Sequence, residues 1–184
     1  MENIKNLWIS GYRSYELGIF QDDDPKKKII EDYLSQILQN YCDQGLEWIL
    51  TGGQLGIEQY AIEIAGQSIF KDYNLQTAVM LPFNNMSKNW SEKNQQRLAK
   101  TLTKATYYNS VSQNDYVHPS QFTNWQNFML QHTDACLLVY DVEYPGKSQF
   151  EYRAIQKYQQ HHDYGLQIID MYDLQDFVDS QTDV

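Results

Sequence analysis

The stretch Thr51-Gly52-Gly53-Gln54-Leu55-Gly56-Ile57-Glu58 concentrates groups able to hold a polar ligand. It follows the apolar run Leu46 to Leu50 and opens into helical spacing. Paired glycines at a strand-to-helix turn let backbone N–H groups approach an anion, because no Cβ intervenes. Glu58, about one turn inside the helix and beside its apolar stripe, would repel phosphate but accept hydrogen bonds from ribose hydroxyls. Phosphate on the glycines and sugar on Glu58 together suit a nucleotide. The same glycines also suit a tight turn that packs strand on helix, with Glu58 in solvent. The local pattern leaves both readings open.

Similar groups recur elsewhere. Ser10-Gly11-Tyr12-Arg13-Ser14-Tyr15-Glu16 follows the first apolar run, Pro82-Phe83 follows the third, and Asp141 to Lys147 follows Ala135–Tyr140. Arg13 can meet a phosphate, or can pair with Glu16 or a nearby aspartate. The candidate ligand-binding set is therefore Gly11, Arg13, Thr51, Gly52, Gly53, Gly56, Glu58, Pro82 and Phe83. Trp90 and Trp125 either pack or stack on a base, and Glu151 and Tyr152 lie at the pocket or on the surface. Adjacent His161 and His162 point about 100° apart on a helix and read as a solvated pair. His118 and His132 have no partner at ligand spacing, so no metal site is assigned. No nucleophile–base pair is identifiable, and no catalytic residue is assigned. The spacing G-G-x-x-G after the second strand is not the dinucleotide fingerprint G-x-G-x-x-G after the first. No G-x-x-x-x-G-K-[ST] loop occurs.

The elements that must position these groups alternate. Strands are predicted at 6–11, 46–50, 77–81, 106–109, 135–140 and 166–169, the third stopped by Pro82. Helices are predicted from Pro25 to about Tyr41, over 57–69, 91–104, 121–132 and 148–160, and briefly over 173–179. Near-continuous apolar strands separated by helices imply an α/β fold, a single doubly wound Rossmann-like domain over 1–184 with a mainly parallel sheet. Ser10, Thr51, Leu81 and Asp141 then share one edge, outside which ligands bind.

Composition narrows the function. With 24 acidic and 14 basic residues the formal charge is −10, which opposes nucleic-acid binding. Lys26-Lys27-Lys28 reads as a solvated first helical turn, and most of the fifteen tyrosines as core-edge residues. Cys42 and Cys136 form no spaced motif. No apolar run exceeds six residues, and no signal-peptide stretch opens the chain, so a cytoplasmic protein without membrane contact is expected.

The runs 10–20, 50–58 and Leu81-Pro82-Phe83 resemble the YpsA family of Firmicutes over nearly the whole chain. That family belongs to the SLOG superfamily of Rossmann-like domains related to DprA and the LOG proteins. The resemblance implies a pocket for a nucleotide or nucleotide-derived ligand such as ADP-ribose or NAD, with no required cofactor. It also implies a regulatory role tied to cell division or stress in Gram-positive bacteria, through a regulatory or cell-division partner. Gly52, Gly53, Gly56 and Glu58 match the superfamily's glycine loop and acidic position. The run P-G-G-x-G-T-x-x-E of the phosphoribohydrolase branch is absent, which argues against carrying over N-glycosidic hydrolysis. Three functions follow in order: a ligand-binding sensor, an enzyme acting on a nucleotide glycosidic bond through Glu58, and an interaction module with a vestigial pocket.

Overall fold

The computed structural model describes residues 3–182. Residues 1, 2, 183 and 184, which the 1–184 domain reading includes, lie outside the described residues. In chain order the elements are β1 (Asn6–Gly11), α1 (Pro25–Asp43), β2 (Trp48–Thr51), α2 (Ile57–Ala65), β3 (Gln76–Phe83), α3 (Glu92–Lys104), β4 (Tyr107–Ser112), α4 (Ser120–His132), β5 (Ala135–Val139), α5 (Gln149–Gln159), β6 (Gly165–Ile169) and α6 (Met171–Thr182). A 3-10 turn covers Ser68–Tyr73, so the second helix stops at Ala65, short of the predicted Ile69.

The six strands form one sheet in the order β4-β3-β2-β1-β5-β6, and every pairing is parallel. β1 and β5 are the apolar centre: Leu7, Trp8, Ile9 and all of Ala135–Val139 are buried. This is an α/β Rossmann-like fold. The chain builds outward from β1 through β2 and β3 to β4, then returns to place β5 on the other side of β1. The strand order thus reverses between β1 and β5, and a crevice opens beyond their carboxyl ends.

Three local expectations need correction. Pro82 does not stop the third strand but lies inside β3, which runs on to Phe83. The β2 pairing ends at Thr51↔Val79, so Pro82 lies beyond it, and on the other side Leu81 and Phe83 pair with β4. A missing N–H there forfeits no ladder bond. Lys27 is not solvated: it is 8% exposed and bonded to Glu63 at 2.9 Å, where α1 crosses α2. Glu58 is not beside an apolar stripe, because α2 has almost no polar face. It packs against α1, α3 and three strands, and Ile57 to Ile62 are all buried.

Candidate functional site: a cationic cleft at the strand-order reversal

The loops after β1 and β5 are tied across the reversal. Tyr12 donates its hydroxyl proton to the Tyr144 carbonyl at 2.7 Å, and its oxygen accepts the Asp141 N–H at 2.8 Å. Glu16 accepts the backbone N–H of Arg13 at 2.7 Å and that of Lys147 at 2.8 Å. One carboxylate thereby fixes the chain at both cationic residues. The pairing of Arg13 with Glu16 is thus through the backbone. The Arg13 guanidinium donates from Nη1 to the Gly11 carbonyl at 3.3 Å, and it makes no ion pair within 4.0 Å among the described residues.

The glycine loop has an anion already in it. Glu58 is 1% exposed and accepts the Ser10 hydroxyl at 2.9 Å on Oε1 and the Gln54 N–H at 2.7 Å on Oε2. The Gly52 N–H also points to this carboxylate. Burial raises its proton affinity, while the Arg13 charge and these donors oppose that rise. Two of the loop's backbone donors, those of Gly52 and Gln54, are thus directed at its own side chain. A Cβ on Gly52 would lie 2.5 Å from the Trp125 ring. Gly53 has φ +79°, and a Cβ there would meet Leu81, Val79 and Leu98 at 2.9–3.2 Å. A methyl on Gly53 would therefore press into the core and not into space open to a ligand. Gly11 and Gly56 are likewise close-packed, against Val139 and the Tyr12 carbonyl. Thr51 is fully buried at the end of β2.

A cleft of about 1190 Å³ opens outside this layer. From the candidate set Arg13 and Phe83 line it, joined by Gln54 and Leu55 of the glycine loop. Gly11, Thr51, Gly52, Gly53, Gly56, Glu58 and Pro82 are not among its lining residues. Phe83 meets the Phe122 ring edge-on at 5.4 Å, and Trp90 also faces the space. Trp125 does not; it packs at right angles to Trp8 and donates Nε1–H to the Met80 carbonyl at 2.7 Å. His161 and His162 line the far end of the cleft, and His162 stacks on Tyr158. Among the described residues no three His, Cys, Asp or Glu side chains cluster as metal ligands.

The residue that the sequence left undecided is the most informative. Glu151, in the first turn of α5, lines the cleft and is 4% exposed. Its Oε2 has no hydrogen-bond partner among the described residues, and burial pushes its carboxyl up to about 7 against the pull of Arg13. The hydroxyls of Thr51 and Ser148 are buried and unpartnered as well. Buried polar atoms without partners are uncommon, and three of them at one sheet edge mark a place built for something else than packing. The Arg13 charge acts on both buried carboxylates, Glu58 and Glu151, and lowers the proton affinity of each. Tyr152, the neighbour of Glu151, is not among the lining residues and packs against Tyr140, the rings tilted by 31° at 5.0 Å.

Residues 7–174 match a family model named YpsA and described as the YspA SLOG family. A "UPF0398 protein" from Lactobacillus johnsonii is 45% identical over 94% of this chain and 92% of its own length. Relatives with the same name from Pediococcus pentosaceus and Ligilactobacillus salivarius are 44% and 42% identical, each aligned over at least 94% of both chains. The chain belongs to the YpsA family of SLOG proteins.

Proposed function

We propose that this protein binds a nucleotide-derived small molecule in the cleft at the β1–β5 reversal and acts as a sensor or regulator. The observation that carries this reading is the buried, unpartnered Oε2 of Glu151 on the cleft wall beside Arg13. A protonated or ionised carboxyl there offers a ligand hydroxyl or base edge its partner, and Arg13 offers donors to a phosphate. Aromatic side chains (Phe83, Trp90, Phe122) supply faces for a base. Glu58 serves this site from behind, by fixing the glycine loop whose Gln54 and Leu55 form part of the wall. The link to cell division or stress and to a protein partner is carried by the family resemblance alone. An open cleft gives less support to a vestigial pocket. The test is a thermal-shift screen of nucleotides, NAD and ADP-ribose, in which a true ligand raises the melting temperature with concentration. A flat response across the panel contradicts the reading.

One observation favours cleavage of an N-glycosidic bond as a second reading. A carboxyl held near 7 can give its proton to a departing base nitrogen while water attacks the sugar carbon and releases its proton to solvent, the carboxylate then being reprotonated. In that reading Glu151, not Glu58, is the acid. Chromatography of protein incubated with nucleoside monophosphates should then show free base and ribose phosphate, and none with Glu151→Gln. Absence of free base with the unaltered protein rejects turnover and leaves binding intact.

A further inference from the structure

The charge of the cleft is opposite to that of the molecule. The chain carries −10 overall, yet the cleft lining holds four cations, Arg13, Lys147, Arg153 and Lys157, against one carboxylate, Glu151. None of the four makes an ion pair within 4.0 Å among the described residues; outside the cleft Lys5, Lys27, Lys28, Lys88 and Arg97 do, and Lys26, Lys71, Lys93, Lys100 and Lys104 do not. In a protein with this excess of carboxylates, four cations left unpaired on one concave surface form a focused positive field.

These cations fall into two groups. Arg13 and Lys147 sit at the sheet edge, held by the shared backbone contacts to Glu16. Arg153 and Lys157 are one turn apart on the exposed side of α5, so they point the same way. Phe150 lies between Lys147 and Arg153 along the chain, and Phe122 of α4 and Tyr158, just beyond Lys157, also line the cleft, so its wall is largely aromatic. From Phe150 to Tyr158 the helix advances about 12 Å. The volume of about 1190 Å³ exceeds the roughly 300–1,000 Å³ usual for a small-ligand pocket.

We infer that the ligand carries two separated phosphates, one held by Arg13 and Lys147 and the other by Arg153 and Lys157, with a nucleoside between them on the aromatic wall. This inference rests on the proposed nucleotide-binding function and names its ligand class: a nucleoside 3′,5′-bisphosphate or a 5′-phosphorylated dinucleotide. A ligand with a single phosphate would leave the α5 cations unused. Longer polynucleotide is disfavoured by the acidic surface beyond the cleft.

Calorimetric titration with adenine and guanine series tests this, using the 5′-monophosphate, the 3′,5′-bisphosphate, the 5′-phosphorylated dinucleotide and a ten-nucleotide strand. In the better series, a two-phosphate probe should bind about tenfold or more tightly than the monophosphate. The double variant Arg153→Gln/Lys157→Gln, altered only at exposed positions, should erase that advantage and leave monophosphate binding unchanged. Equal affinity for one and two phosphates, or an advantage that survives the double variant, overturns the second phosphate site while the cleft remains a nucleotide site. Tightest binding of the ten-nucleotide strand overturns the small-molecule class. Failure of all probes overturns the nucleotide reading and this inference with it.

Discussion

At the scale of the residue, Glu151 and Glu58 show how two buried carboxyls of one site divide the work. Glu58 is held by three donors and organises a loop; Glu151 has a free oxygen and faces the cleft. The second arrangement has a thermodynamic signature. Glu151 ionises near 4.5 when unfolded and near 7 when folded. Between those values the folded state holds the extra proton, so stability falls as pH rises and the loss is complete above about 7. Glu151→Gln cannot ionise and escapes that loss. Its gain over the parent should be small at about pH 5 and larger at about pH 8, with a ceiling on the order of 3 kcal/mol. Urea denaturation at both values measures it; a gain independent of pH would show that the free carboxyl is not strained by burial. The cost of keeping a charge there is understandable where it serves binding.

At the scale of the element, the glycine loop is a packing device. Gly53→Ala should destabilise by at least about 1–3 kcal/mol, because the left-handed backbone and the contacts with Leu81 and Leu98 both oppose a methyl group. A melting temperature equal to the parent's would contradict this account of the loop. The strands and helices were largely legible from hydrophobic runs and helical spacing, and in the structure Asp24 and Ser91 cap α1 and α3. What escaped was tertiary in origin. Pro82 ends a strand only if both neighbours continue, and β2 is shorter than β3. Lys27 and Glu58 lie on helix faces that look solvated in one dimension but are covered by a neighbouring helix or sheet.

At the scale of the whole molecule, the same limit governed the site. Arg13 and Phe83 were visible because they follow apolar runs in the sequence, and Glu151 was visible only as an open question. No spacing rule tells that the loop leading into α5 is tied to the loop after β1, since that follows from strand order. Nor does net charge disclose that four cations and a single carboxylate line one cleft of an acidic molecule. The central claim is that this cleft, with Arg13 and Lys147 at its sheet-edge end, is where an anionic nucleotide derivative binds. Its most direct measurement is calorimetry of the strongest nucleotide from the thermal-shift screen with the parent, Arg13→Gln and Lys147→Gln, the last at an exposed position that spares the fold. Saturable binding to the parent and a loss of about ten- to a hundredfold in each variant is the predicted result. Undiminished affinity in both variants would contradict it.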